Sequence, residues 1–124
     1  AAMSDLTSLY SQAKDIAGTT VIAAKIADGI SAEDLRKIAL DLRNRATDSV
    51  VALISINGGK PVLVAAVSDL ARAKGIKAGT LVKIGSTILG GGGGGKDEFA
   101  QGGGSSIVEI GNALLAIERS ITGN

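Results

Sequence analysis

VVALISINGGKPVLVAAVS, residues 50–68, decides how this chain folds. Two near-continuous apolar runs, 50–56 and 62–68, flank the segment NGGKP, and both are rich in β-branched residues, the composition of strands. Asn57-Gly58 supplies a hairpin signal, because a type I′ turn needs positive φ at both central residues. Neither run alternates polar with apolar side chains. Strands of that kind are buried on both faces, so helices are expected on both sides of the sheet.

Upstream, TTVIAAKI (19–26) reads as a further strand. Ser31 and Asp34 resemble a capping box that opens a helix, with Glu33 and Asp34 placed near its positive end. Leu35, Ile38, Ala39, Leu42 and Ala46 form the stripe to be buried, while Arg36, Lys37, Arg43 and Arg45 face water. Leu6, Leu9, Ala13, Ile16 and Ala17 recur at helical spacing until Gly18, like the tail of a helix that continues upstream.

Downstream, ARAKGIKAG leads into a helix near 80–89 with Leu81, Ile84, Ile88 and Leu89 as core positions and Gly90 as its cap. Ser106 and Glu109 form a second capping box, predicting a last helix with Ile107, Ile110, Leu114, Ile117 and Ile121 on its apolar stripe. The expected order is α-β-α-β-β-α-loop-α. This is a mixed α/β (α+β) fold: a sheet of three or more strands including a hairpin, covered by helices. Residues 1–18 are expected to end a helical arm and residues 19–124 to form one globular domain.

The 124 residues contain two aromatics, Tyr10 and Phe99, so the core is aliphatic. Cysteine and histidine are absent, which removes the usual zinc sets, the catalytic triads and imidazole acid–base pairs. Catalysis is correspondingly disfavoured, and no metal or cofactor is expected. No apolar run approaches the roughly 18 residues of a membrane span, and no charged start precedes an apolar stretch as in a signal peptide. A cytoplasmic protein with no membrane contact is the expectation.

GGGGGGKDEFAQGGG, residues 90–104, holds nine of the 18 glycines. Gly90 to Lys96 matches GxxxxGK, but Asp97 stands where a phosphate-binding loop needs Ser or Thr, and the run follows a helix rather than a strand. A linker should join independent units, yet only 20 residues follow Gly104, a single helix that cannot stand alone. The third reading is a bare backbone surface, whose N–H groups approach a ligand closely. From residue 72 to 96 the chain carries Arg72, Lys74, Lys77, Lys83 and Lys96 with no acid among them, against a net charge of +1 overall. Basic charge beside bare backbone favours a phosphodiester partner.

The series KAGTLVKIGSTILGGGGGGKDEFAQGGG resembles the C-terminal (C-Ala) domain of bacterial alanyl-tRNA synthetases. That family shows a K-A-G-x-L-V helix start, here Lys77 to Val82, a long glycine run, a basic residue, then A-Q-x-G-G, here Ala100 to Gly103 and onward. The module is related to the domain that accompanies DHH-type phosphoesterases, where a shorter glycine run leads into histidine; Lys96 takes that place here. The resemblance covers roughly residues 20–121.

It implies a noncatalytic tRNA-binding globule that holds the outer corner of tRNA in support of catalytic and editing domains upstream in the same chain, with a homodimer among its possible partners. The RNA-contacting residues it implies are Gly90, Gly91, Gly92, Gly93, Gly94 and Gly95, then Lys96, Phe99, Gln101, Gly102 and Gly103, with Arg72, Lys74, Lys77 and Lys83 neutralising phosphates. Phe99 is left between stacking on a base and core packing, and Asp97 and Glu98 have no assigned role. Two other readings stay open: an oligomerisation module whose glycines serve close packing, and the nucleic-acid-holding half of a DHH-like phosphoesterase.

Overall fold

The computed structural model describes residues 6–122. Helix α1 (Leu6–Ser11) leads to β1 (Lys14–Ile16) and β2 (Thr19–Lys25); α2 (Ala32–Arg43) crosses to β3 (Ser49–Asn57), which turns into β4 (Lys60–Val67). Two helices follow, α3 (Asp69–Ala73) and α4 (Ala78–Ile88), then β5 (Gly93–Gly95), β6 (Phe99–Gly103) and α5 (Ile110–Thr122). The strands form one six-stranded sheet in the order β1-β2-β3-β4-β6-β5, parallel only between β2 and β3, the pair joined by the α2 crossover.

The sheet is covered on both faces, as the apolar runs predict. Val50, Ala52 and Ile54 of β3 join Leu63, Ala65 and Val67 of β4 in one core with α4 and α5. Val51 and Leu53, with Val64 and Ala66, form the other core with α1 and α2. Leu35, Leu42, Leu53, Ile54 and Leu63 are fully buried; truncating one such side chain to alanine costs about 2–5 kcal/mol. Ser31 Oγ accepts from the Asp34 amide at 3.1 Å and caps α2.

Four local readings need correction. In the β3–β4 hairpin, Asn57 pairs with Lys60, so the central residues are Gly58 and Gly59 (φ +58° and +78°) rather than Asn57-Gly58; the Asn57 amide instead donates to Ile30 O at 2.6 Å. The first helix stops at Ser11. Residues 14–16 pair with β2 through an Ala17-Gly18 turn, with Ala17 at φ +53°. The last helix starts at Ile110 without the predicted Ser106–Glu109 box: the amides of Ser105 and Ser106 both donate to Leu89 O at 2.9 Å, tying that segment to the end of α4. Ile107 is consequently exposed, and Ile110, Ala113 and Ile117 carry the buried stripe.

The fourth correction concerns the glycine stretch, which is a strand pair rather than a loop. Gly90 ends α4 as expected, at φ +82°; its amide donates to Thr87 O and that of Gly91 to Ser86 O, the paired bonds of a Schellman cap. The chain then runs out along the sheet edge as β5 and returns as β6, with Gly93 opposite Gly102, Gly94 opposite Gln101 and Gly95 opposite Ala100.

Candidate nucleic-acid interface

The two strands of the β5–β6 hairpin lie so close to each other and to α4 that one side of it tolerates no side chains. A Cβ on Gly93 would sit 2.6 Å from Gln101 O and press on the Gly102 backbone; one on Gly102 would sit 2.8 Å from Val82 Cγ1; one on Gly95 would sit 2.7 Å from Ala100 Cα. Gly91 and Gly104 are likewise closed in by backbone, at Gly103 and at Leu89. Helix α4 contributes small residues to the same seam, with Gly79 facing Gly95 O and Ser86 buried beneath Gly102. The hairpin tip completes the contact. α4 has no side-chain cap at Lys77, and its first amides are satisfied instead by the tip carbonyls, Ala78 N–H donating to Asp97 O at 2.8 Å and Gly79 N–H to Lys96 O at 3.2 Å.

The opposite face of the hairpin is different. A Cβ on Gly92 or Gly94 would meet nothing within 4 Å, and neither residue has the left-handed φ that favours glycine. Gly94 lies opposite Gln101, which lies opposite Val64, so this face continues the α2 side of the sheet. α2 packs over β3 and β4, and the strip formed by β6 and β5 is left open beside it. A concavity of about 310 Å³ is lined there by Gly94, Lys96, Glu98, Phe99, Gln101 and Arg36.

Phe99 is half-buried, packed against the α2-side core, and the Arg36 guanidinium lies over its ring at 5.0 Å, a cation–π arrangement. Its exposed surface is thus shared with a cation. In the sequence Arg36 is only one of several water-facing residues of α2. Its neighbourhood depends on the crossover that lays α2 beside β6, and no local pattern announces that.

The cations predicted for the interface divide into two groups. Among the described residues, Lys77, Lys83 and Lys96 are exposed and have no carboxylate partner, and the same holds for Arg36. Lys77 stands at the end of α4 that meets the hairpin tip, and Lys83 lies midway along the same helix, on the side of the sheet away from α2. Lys74 is engaged elsewhere: its Nζ pairs with Asp48 Oδ2 at 2.5 Å and donates to Thr19 Oγ1 at 2.9 Å, joining α3 to the start of β2 and the segment before β3. That bond, first, and Thr19's hydrogen bond hold the Asp48 carboxyl below its ordinary value against a partial desolvation that acts the other way. Arg72 pairs with Asp69.

Comparison with known proteins identifies the family. The DHHA1 domain family matches residues 18–123. The alanine–tRNA ligase of Streptomyces avermitilis is 45% identical over 117 residues, 92% of this chain and 13% of that protein; the chain thus spans about an eighth of such relatives. The crystal structure of the C-Ala domain from Aquifex aeolicus alanyl-tRNA synthetase aligns with a TM-score of 0.83 at 28% identity, covering 90% of this chain and 99% of that one. A DHH-domain protein described as a member of a ribosomal-protein family shares the fold at 13% identity and a TM-score of 0.64, over 96% of this chain and 30% of that one. The chain belongs to the DHHA1 domain family, as a domain of the C-Ala type found in alanyl-tRNA synthetases.

Proposed function

We propose that this domain binds tRNA at its outer corner, without catalysis of its own, in support of aminoacylation and editing by domains upstream in a longer chain. The contact surface is the open face of β5 and β6: Gly92 and Gly94 with Gln101 and Phe99, beside Lys96 and Arg36. Lys77 adjoins it at the hairpin tip, and Lys83 lies on α4 across the sheet, where it adds to the positive field. Gly90, Gly91, Gly93, Gly95, Gly102 and Gly103 shape that surface from within the hairpin. The observation that carries the reading is the freedom at Gly92 and Gly94. The fold has room for side chains there and no backbone strain to relieve, so bareness serves something outside the molecule. A flat strip without side chains lets a folded RNA approach backbone N–H and C=O groups, and unpaired lysines meet its phosphates. Lys74 is committed to Asp48 and the interface does without it.

Fluorescence anisotropy tests this with full-length tRNA and an acceptor-stem minihelix that lacks the corner. Full tRNA should bind with strong salt dependence and the minihelix should not. Lys96→Ala should weaken tRNA binding and reduce the log–log salt slope by about 1. Equal binding of both RNAs would remove the corner assignment, and binding of neither would remove the RNA reading.

A second reading has its own observation. Ile107, Val108 and Leu115 are 46%, 86% and 43% exposed around the start of α5, an apolar surface suited to a second copy. A molecular weight that rises with concentration, together with indifference to RNA, would put this homodimer reading first.

A further inference from the structure

A larger cleft lies at the hairpin-tip end of the sheet, between the end of α2, the start of α3 and Glu98. It has a volume of about 650 Å³ and is lined by Arg43, Asn44 and Thr47 at the end of α2, by Asp69 and Arg72 of α3, and by Glu98. Glu98 also lines the smaller concavity beside Gly94, so the two are neighbours with one side chain in common. Arg36 stands in the smaller concavity and Arg43 in the larger cleft. The two arginines are seven residues apart on α2, two turns and about 10 Å along one side of the helix.

The cleft holds polar capacity that the fold leaves unspent. The Arg43 guanidinium bonds only to the neutral Asn44 Oδ1, through Nε at 3.2 Å and Nη2 at 3.1 Å, so its charge has no counterion among the described residues. Arg72 meets Asp69 through one terminal nitrogen, while its Nε is shielded from solvent and has no partner. Glu98 has no cation partner either, its backbone carbonyl alone being used, by Val67 N–H at 3.0 Å. A site with two guanidinium groups and a free carboxylate suits a ligand that is anionic at one point and a hydrogen-bond donor at another. An RNA nucleotide has both, a phosphate and a 2′-hydroxyl, and planar guanidinium groups match phosphate oxygens.

We infer that this cleft receives one nucleotide of the bound RNA, its phosphate on Arg43 and Arg72 and its ribose 2′-hydroxyl donating to Glu98. The site extends the glycine strip into a track that runs past Arg36 to the end of α2, and it gives Glu98 a task that a bare phosphate-binding surface could not. The inference rests on the RNA-binding reading and adds to it a position, and a preference for RNA over DNA.

The test compares tRNA with its all-deoxy counterpart on the wild-type chain and three variants. Arg43→Ala should lose about tenfold in affinity for both and lower the salt slope by about 1. Arg43→Lys, which keeps the charge and loses the planar fork, should fall between. Glu98→Ala should narrow the preference for the ribose form. If Arg43→Ala fails to fold, Thr47→Glu, an exposed change on the cleft wall, supplies the same readout by repelling the phosphate. Wild-type affinity in both Arg43→Ala and Thr47→Glu would overturn the inference and leave the glycine strip standing. An unchanged ribose preference in Glu98→Ala would overturn the assignment of the 2′-hydroxyl. Failure of the wild-type chain to bind tRNA at all would overturn both readings together, and the wild-type measurement alone distinguishes that case.

Discussion

Two antiparallel hairpins stand next to each other in this sheet and are built on opposite plans. The β3–β4 hairpin is filled with Val, Leu, Ile and Ala on both faces, and its only glycines are Gly58 and Gly59 in the turn. The β5–β6 hairpin and its flanks have glycine at every position of 91–95 and 102–104, and only one of its faces explains them. In the first hairpin side chains make the structure. In the second their absence does so on the α4 side, where backbone touches helix, and leaves an unexplained vacancy on the other. A glycine run can therefore carry two requirements in alternation, as a strand alternates its faces.

The largest effect should come from breaking that alternation on its packed side. Gly93→Ala places a methyl group against the Gly102 backbone and 2.6 Å from Gln101 O, and backbone cannot rotate away as a side chain can. Urea unfolding should show a loss of about 3 kcal/mol, at the upper end of overpacking costs. A loss below about 0.5 kcal/mol would mean that β5 does not lie against β6 and α4 as closely as described.

The hairpins also differ in how the charge near them is used. Lys74 is paired with Asp48 at the β2–β3 end of the sheet, whereas the cations around β5 and β6 have no carboxylate partners among the described residues. Lys74→Met should cost about 1 kcal/mol. It should also flatten the acid limb of the stability profile. Asp48's carboxyl is held below its ordinary value in the folded chain, so the unfolded chain takes up the proton first. That contribution is complete above the ordinary carboxylate value and is lost as the pH falls through it toward the folded value. Stability of the wild type and Lys74→Met, measured from mildly acidic pH down to below the folded value, should converge at the acid end. Coincident curves would show that the pair carries no stability, and parallel curves that its contribution is not linked to the Asp48 proton.

The β3–β4 hairpin, β2 and α2 are legible in the sequence because their side chains carry a pattern: apolar runs, a helical stripe and a serine cap. Glycine carries none. No periodicity can be read from identical residues without side chains, so β5 and β6 look like a loop even though AQGG is recognisable. The Ala17-Gly18 turn is hidden for a related reason, since an alanine at positive φ has no signature and the spacing of Ala13, Ile16 and Ala17 also suits a helix. The basic stretch from Arg72 to Lys96 looks uniform because the acids that divide it come from elsewhere. Asp48 reaches Lys74 only once β2, β3 and α3 have assembled. Arg36 and Arg43 are visible as residues and invisible as a site, because their placement beside Phe99 and Arg72 is a property of the crossover.

The smallest expected effect on stability is the sharpest test of the comparison. Gly94→Ala adds a methyl group into open space on a strand with no left-handed φ to relieve, so unfolding free energy should change by less than about 0.5 kcal/mol, with stabilisation the more natural sign because the unfolded chain loses freedom. Gly94→Val should fold as well, being β-branched on an edge strand. Both would raise side chains above the strip proposed to face RNA. Tolerance of Gly94→Val in unfolding combined with a loss of tRNA affinity would separate the two requirements on the run, since the same change at Gly93 fails for an internal reason. If Gly94→Val instead folds and binds tRNA like the wild type, the open face is not the contact surface. The glycine at that position would then answer to nothing in the fold and nothing in the RNA.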